Sequence, residues 1–219
     1  MALAIAFSSC KKDKSNPKPD PESAALAVFH ASTNVDSVNF YLDNKKVNKK
    51  LIGSGDSQDY VGILTGERNA EIKNKEDKSL LKKTITIKKD KVYSLFIANE
   101  KDKEEAECIL ISDDLTKPAE GKAKIRFVHL SPDAEKLNLG LSEGTELFKE
   151  TEFKSATDFK EVDAAKKSLD IIDHESEEVL VSLENIDLKA GKIYSIWVKG
   201  LVDTENDDQR IEALVFVNK

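Results

Sequence analysis

Three residues near the middle of the chain, His129, Ser131 and Asp133, have the side-chain types of a hydrolytic triad. A serine nucleophile and its base must approach to roughly 2.6–3.2 Å. Residues two apart on a strand are separated by about 6.5 Å along the backbone. The spacing therefore favours a structural role, in which the histidine stabilises a turn that Pro132 and Asp133 shape. We predict no catalytic residues here.

The same pattern occurs earlier in the chain, which indicates an internal duplication. His30 and Ser32 align with His129 and Ser131 at one constant offset of 99 residues. Thr33 and Asn34 stand where the second copy has proline and aspartate. The copies share the strand pattern and the His-x-Ser pair, whereas the aspartate that a triad would need is missing from the first.

Alternating and continuous apolar runs predict the elements that position these turns. Residues 38–42 alternate apolar and polar, as in a half-buried strand. Residues 92–98 are apolar on both faces and predict a central strand covered on both sides. Tyr93 and Tyr194 begin matched strands, with the ring expected in the core and the hydroxyl bonded to a neighbouring loop.

Many short strands with regular turn signals predict an all-β fold of two tandem immunoglobulin-like antiparallel β-sandwich modules, residues 24–117 and 118–219. Residues 155–167 alone are compatible with a helix, but their counterpart in the first copy favours strand and turn. A short helical turn at residues 162–166 stays an alternative. Trp197 matches Phe96, so we expect it to be buried rather than a binding platform.

The first residues predict where in the cell the protein is located. An apolar segment, Ser8, Ser9 and Cys10 resemble the lipobox of a bacterial lipoprotein signal. This resemblance implies that residues 1–9 are a signal peptide remnant and that Cys10 carries the lipid, although a basic n-region is missing. Residues 10–23 are rich in proline and charge, which predicts a disordered tether. Lys11 after the cysteine favours the outer membrane.

Composition excludes several classes of function. The net charge is −7, and arginine occurs three times, so nucleic-acid binding, whose affinity comes mainly from phosphate neutralisation, is not expected. The two cysteines, Cys10 and Cys108, do not form a zinc or redox motif, and Cys108 is expected to be a buried thiol. Residues 203–208 offer oxygen ligands for calcium but lack an EF-hand glycine. We predict no metal and no cofactor.

Residues 128–134, read with 137–139 and 191–194, resemble the signature of the domain-of-unknown-function family 4397. The resemblance implies extracytoplasmic bacterial β-sandwiches, often in tandem and lipid-anchored, as in Bacteroidota-like lipoproteins. The family implies no catalytic residues to carry over. The expected function is a non-enzymatic binding or scaffolding head that contacts the membrane through its anchor. Its ligand would be an envelope protein or a glycan.

Two alternatives stay open at this level. A glycan-binding module would use exposed aromatic residues such as Tyr41 or Tyr60 on a sheet face. A carbohydrate-active hydrolase would need paired carboxylates buried in a cleft, and no carboxylate of the sequence has a recognisable setting of that kind.

Overall fold

A computed structural model describes residues 23–101, 103 and 105–219. The predicted signal residues 1–9, Cys10 and most of the tether lie outside the described residues. Within the described part, no helix has the length and apolarity needed to cross a membrane.

The first half of the chain is built from strands that pair into two sheets. The first sheet has the order β5-β1-β8-β9, and the second has β3-β2-β6-β7 with β4 also on β2. The strands are β1 (Ser23–His30), β2 (Ser37–Leu42), β3 (Lys45–Lys46), β4 (Ile52–Gly53), β5 (Ser57–Leu64), β6 (Gly66–Asn74), β7 (Ser79–Ile87), β8 (Val92–Ala98) and β9 (Glu107–Asp113).

The second half repeats this topology. Its third sheet has the order β13-β10-β17-β18 with β14 also on β10, and its fourth has β12-β11-β15-β16. The elements are β10 (Lys122–Leu130), β11 (Lys136–Leu141), β12 (Glu146–Glu152), β13 (Ser155–Ala156), β14 (Lys160–Asp163), β15 (Lys166–Asp173), β16 (Val179–Asp187), β17 (Ile193–Lys199), a 3-10 helix (Asp207–Gln209) and β18 (Glu212–Val217).

The all-β class and the sandwich architecture are confirmed, and two details differ from the expectation. Strand β1 pairs with β8 in parallel, as β10 does with β17, so the pairing is not antiparallel throughout. Residues 155–167 form short strands and turns, which resolves the helical alternative. The immunoglobulin-like assignment stays a prediction.

Each half encloses its own core between two sheets. In the first half, Leu26 and Val28 of β1 meet Val38 and Phe40 of β2. In the second, Phe127 and Ile196 pack on Leu137 and other apolar residues of the fourth sheet. Side chains alternate across a strand, so β1 still has Ala27 and Phe29 pointing away from its core.

Those outward residues are covered by the other half. The outer face of the first sheet packs on the outer face of the third through a buried cluster that includes Phe29, Phe96, Val128 and Trp197. The ring centroids of Phe29 lie 4.5 Å from Phe96 and 5.8 Å from Trp197. Strand β8 is therefore covered on both faces because a second sandwich lies on it. Trp197 is buried at this interface and not inside a sandwich.

Candidate functional site

The signature histidine of the second half is fixed by its own turn. Nδ1 of His129 accepts a hydrogen bond from the backbone N–H of Ser131 at 3.3 Å, so the proton lies on Nε2. Nε2 is 3.0 Å from the carbonyl oxygen of Ala134, to which it donates. Burial lowers the pKa of His129 to about 4, although the Ala134 carbonyl opposes the shift. A neutral ring with both nitrogens engaged is not available as a base.

Ser131 and Asp133 also hold the backbone. The hydroxyl of Ser131 donates to the carbonyl oxygen of Gly200 at 2.7 Å. The carboxylate of Asp133 accepts from the N–H groups of Val202 at 2.9 Å and Asp203 at 3.1 Å. The two side chains therefore connect the turn after β10 to the loop after β17, and Pro132 lies between them in that turn.

The first half builds its turn from related contacts. Nδ1 of His30 accepts from the N–H of Ser32 at 3.3 Å, and the hydroxyl of Ser32 accepts from the N–H of Asn34 at 3.3 Å. Burial lowers the pKa of His30 to about 4, partly opposed by the Val35 carbonyl. Nε2 of His30 makes no well-aligned hydrogen bond among the described residues. The His-x-Ser pair thus has the same backbone-holding role in both halves.

Tyr93 and Tyr194 each join a central strand to the turn before it. Both rings are buried, and their hydroxyls accept hydrogen bonds from the N–H groups of Lys88 at 3.0 Å and Lys189 at 2.9 Å. The hydroxyl of Tyr194 also donates to the carbonyl oxygen of Asp187 at 3.2 Å. Both tyrosines therefore have a structural role, as their positions in the sequence predict.

A buried polar cluster at the interface was not predicted. Arg126 is 1% exposed, and its guanidinium donates to Asp113 at 2.7 Å, to Ser94 at 2.8 Å and to Ser195 at 2.8 Å. Asp113 and Ser94 belong to the first half, whereas Arg126 and Ser195 belong to the second. The ring of Phe159 covers the guanidinium, with 4.7 Å between the guanidinium carbon and the ring centroid.

Tyr60 and Asn218 complete this cluster. The hydroxyl of Tyr60 donates to the carboxylate of Asp113 at 2.5 Å and accepts from the amide of Asn218 at 2.7 Å. Burial and the Asp113 carboxylate raise the pKa of Tyr60. Tyr60 is therefore a structural residue of the interface, and its predicted use as an exposed glycan platform is wrong.

The cluster follows the internal symmetry of the chain. Val92 is opposite Asp113 in its sheet, and Ile193, at the matched position of the second half, binds Asn218. Asp113 and Asn218 are thus equivalent, as are Ser94 and Ser195. Arg126 occupies the position of Ala27, so only one half contributes a cation. The sequence signal was a single arginine between the apolar residues Ile125 and Phe127 of β10.

The back-to-back packing brings the signature turns of both halves to one end of the molecule, which we call the loop end. Gln209 of the second half donates to the carbonyl oxygen of Thr33 at 3.0 Å. Lys101 of the first half lies 3.5 Å from Asp133, and Lys154 lies 3.0 Å from Glu100. Loops from both halves therefore form one continuous surface.

A cavity of about 550 Å³ opens at this end beside the second signature turn. Its wall contains the half-buried ring of Phe153 and the charged side chains of Asp133, Glu135, Lys136 and Glu152. The His129 ring packs edge-on against Phe153, with 6.0 Å between centroids. An aromatic face beside hydrogen-bonding groups suits a polar ligand with an apolar face.

The candidate metal ligands have other partners. In residues 203–208, the Asn206 side chain accepts from the N–H of Asp208 at 3.1 Å and caps the 3-10 helix. In a second acidic stretch, residues 170–175, Asp173 accepts from the backbone N–H of Ser176, which is the main reason that the pKa of Asp173 is lowered. Across the described residues, no group of three metal-ligating side chains comes together. Cys108 is buried, and burial raises the pKa of its thiol.

Fold and site together define an all-β protein of stacked sandwiches, in which the signature residues form hydrogen bonds with the backbone. The chain belongs to the family described as "Domain of unknown function (DUF4397)", whose model matches residues 24–140. Among curated proteins, none matches the chain significantly.

Similar solved structures are distant. The C-terminal domain of AlgF from P. aeruginosa is 22% identical over 44% of this chain and 98% of its own, with a TM-score of 0.35. A CBM26 module of Amy13K from Eubacterium rectale, solved with maltoheptaose, is 14% identical over 85% and 100%, with a TM-score of 0.26. A candidate cell adhesion protein from Parabacteroides distasonis is 10% identical over 91% and 99%, with a TM-score of 0.26. These similarities support no statement about function.

The charge pair at the interface should show strong coupling. Arg126→Met leaves the Asp113 carboxylate buried without its cation, and we expect the free energy of unfolding to fall by about 3–5 kcal/mol. In Arg126→Met with Asp113→Asn, the charge is gone and the site resembles Asn218, so the loss should be smaller than for Arg126→Met alone. Urea unfolding at pH 7 measures both variants. Arg210→Met, an exposed pair with Asp207, is the control. A double variant that is at least as destabilised as Arg126→Met alone would contradict the coupling.

The two buried histidines should make the free energy of unfolding depend on pH between pH 7 and pH 5, where most carboxylates are already ionised. His30 and His129 have folded pKa values of about 4, below the ordinary 6.5. The unfolded chain therefore binds more protons between these values, and stability is lost as the pH falls. From pH 7 to pH 5 we expect a loss of about 3–4 kcal/mol for both together. His129→Gln should remove about half of this loss, and His174→Gln should leave it unchanged. Equal pH profiles for all three proteins would contradict the assignment.

Proposed function

We propose that this protein is a lipid-anchored cell-envelope protein whose two β-sandwich modules, residues 24–117 and 118–219, form a non-enzymatic binding or scaffolding head. The proposed anchor is Cys10, the proposed tether is residues 10–23, and the proposed location is the outer membrane. The ligand would be an envelope protein or a glycan.

The proposal rests on the positions of the chain entry and the signature turns, which lie at opposite ends of the first sandwich. Strand β1 begins at Ser23, where the chain enters the first sandwich, and ends at His30, next to the first signature turn. Eight residues of strand correspond to about 26 Å. Contacts between the halves align the second signature turn with the first. A tether attached at Ser23 would therefore leave the loop end, with loops from both halves, facing away from the membrane.

The polar side chains of the signature turn already make hydrogen bonds within the fold, which supports a binding head over an enzyme. His129, Ser131 and Asp133 hold the backbone, and the neutral histidine has no free nitrogen. The hydrolase alternative needs two buried acids in a cleft. The side chains of Asp113 and Asp133 are both buried, but Asp113 is paired with Arg126, and Asp133 accepts two backbone hydrogen bonds from another loop. Neither carboxylate is therefore uncommitted.

Replacement of the lipid-bearing cysteine tests the anchor. Cys10→Ala should move the protein from the membrane fraction to the soluble fraction, whereas the buried-thiol control Cys108→Ala should stay with the membrane. Membranes are washed in 1 M NaCl, because salt removes electrostatic contacts and leaves acyl anchoring intact. Separation of inner and outer membranes then tests the location. A Cys10→Ala protein that stays membrane-bound after the wash would reject the anchor.

Glycan binding is the second candidate, and the cavity beside Phe153 favours it. An aromatic ring flanked by carboxylates and a lysine combines a stacking surface with hydrogen-bonding groups. The earlier candidate Tyr41 does not line this cavity. A lysine lies over each ring, with Nζ of Lys73 5.0 Å from the Tyr41 centroid and Nζ of Lys154 5.1 Å from that of Phe153. On a glycan array, Phe153→Ala should lose any signal that the unchanged chain gives, and Tyr41→Ala should keep it. No signal above background for the unchanged chain would remove this candidate.

A further inference from the structure

The end of the first sandwich where the tether enters, which we call the tether end, differs from the loop end. Ser23 pairs with Leu64 at the end of β5. On the other side, the N–H of Ala25 donates to the carbonyl oxygen of Lys91 at 3.1 Å, and the N–H of Asp90 donates to that of Ser23 at 3.3 Å. Ser23 thus lies between the end of β5 and the turn from β7 to β8.

An apolar groove of about 340 Å³ opens beside this exit point. Val47, Val61, Ile63 and Leu64 contribute apolar side chains to its wall. Leu64 is 51% exposed, whereas Val47 and Val61 are half-buried and Ile63 is buried. The exposed leucine beside a groove with half-buried valines makes this end a candidate contact surface.

Lysines cluster at this end of the first sandwich. Lys45 and Lys46 line the groove, and the others lie in the turn between β7 and β8, next to Ser23. Each is exposed, and within the described part of the chain none takes part in an ion pair: Lys45, Lys46, Lys88, Lys89 and Lys91. Among the acids of the same turns, Asp43 is paired with Arg68 at 3.2 Å, which leaves Glu67 and Asp90. The tether end is therefore basic in a protein whose net charge is −7.

Arg68 shapes the groove rather than offering a free charge. Its guanidinium donates to the carbonyl oxygens of Leu64, at 3.2 Å, and Thr65, in addition to Asp43. These contacts fix the turn between β5 and β6, and so hold Leu64 at the surface. The apolar wall is thus built into the fold.

We propose that the tether end of the first sandwich rests on an anionic phospholipid surface, an inference that deepens the proposed anchored function. The lysines face lipid phosphates, and Leu64 enters the boundary between headgroups and acyl chains. Each lysine near an anionic bilayer adds an attraction that fades within a Debye length. The anchor would hold the protein at the membrane, and this contact would orient the head with its loop end outward.

The test uses the unlipidated full chain, Cys10→Ala, with sedimenting vesicles of phosphatidylcholine alone or with added phosphatidylglycerol. We expect binding to the anionic vesicles only, and its loss in 1 M NaCl. Glutamine at Lys45, Lys46, Lys88, Lys89 and Lys91 should weaken the partition coefficient about tenfold or more. The control places glutamine at Lys49, Lys50, Lys75, Lys78 and Lys83, which are also exposed, and reaches the same net charge.

The apolar contact has its own matched pair. Leu64→Gln should weaken vesicle binding, and Leu51→Gln, at a leucine that is 45% exposed near β4, should not. Equal weakening by the two lysine variants, or binding that survives the tether-end variant, would overturn the proposal. So would the absence of binding to anionic vesicles. These outcomes leave the anchor unaffected, because fractionation after a salt wash tests it separately.

Discussion

The structure depends on the burial of two outer sheet faces against each other. Each sandwich already has a core, yet β1, β8, β10 and β17 have apolar side chains on their outer faces as well. Exposed, these faces would form a large apolar patch. Packed together, they convert two sandwiches into a stack of four sheets with a third apolar layer in the middle. The relative position of the two signature turns follows from this layer.

The polar cluster around Arg126 gives this layer a defined position. Apolar surfaces alone tolerate sliding, whereas a buried guanidinium must meet donors and acceptors in one geometry, because an unpaired buried charge is costly. Arg126 meets Asp113, Ser94 and Ser195 together. The matched residues Asp113 and Asn218 show how a near-symmetric interface acquired one asymmetric ion pair.

Fixed packing also gives the head two different ends. One end contains Ser23, a cluster of exposed lysines and an apolar groove. The opposite end combines loops from both halves around the Phe153 cavity. A head tethered at the first end would have its larger cavity directed away from the anchor, which suits a protein that holds a partner outside the bilayer.

The sequence by itself determined the strand pattern, the all-β class, the repeated His-x-Ser turns and the family, because side-chain alternation and turn chemistry are local. It also indicated that β8 is covered on both faces. Only the tertiary structure decided what covers it, since an apolar residue at an interface and one in a core have the same sequence pattern. The partners of Arg126 and the hydrogen bond of Tyr60 to Asn218 depend on contacts between the halves. No spacing within one half could reveal them, because those partners come together only when the two sandwiches pack.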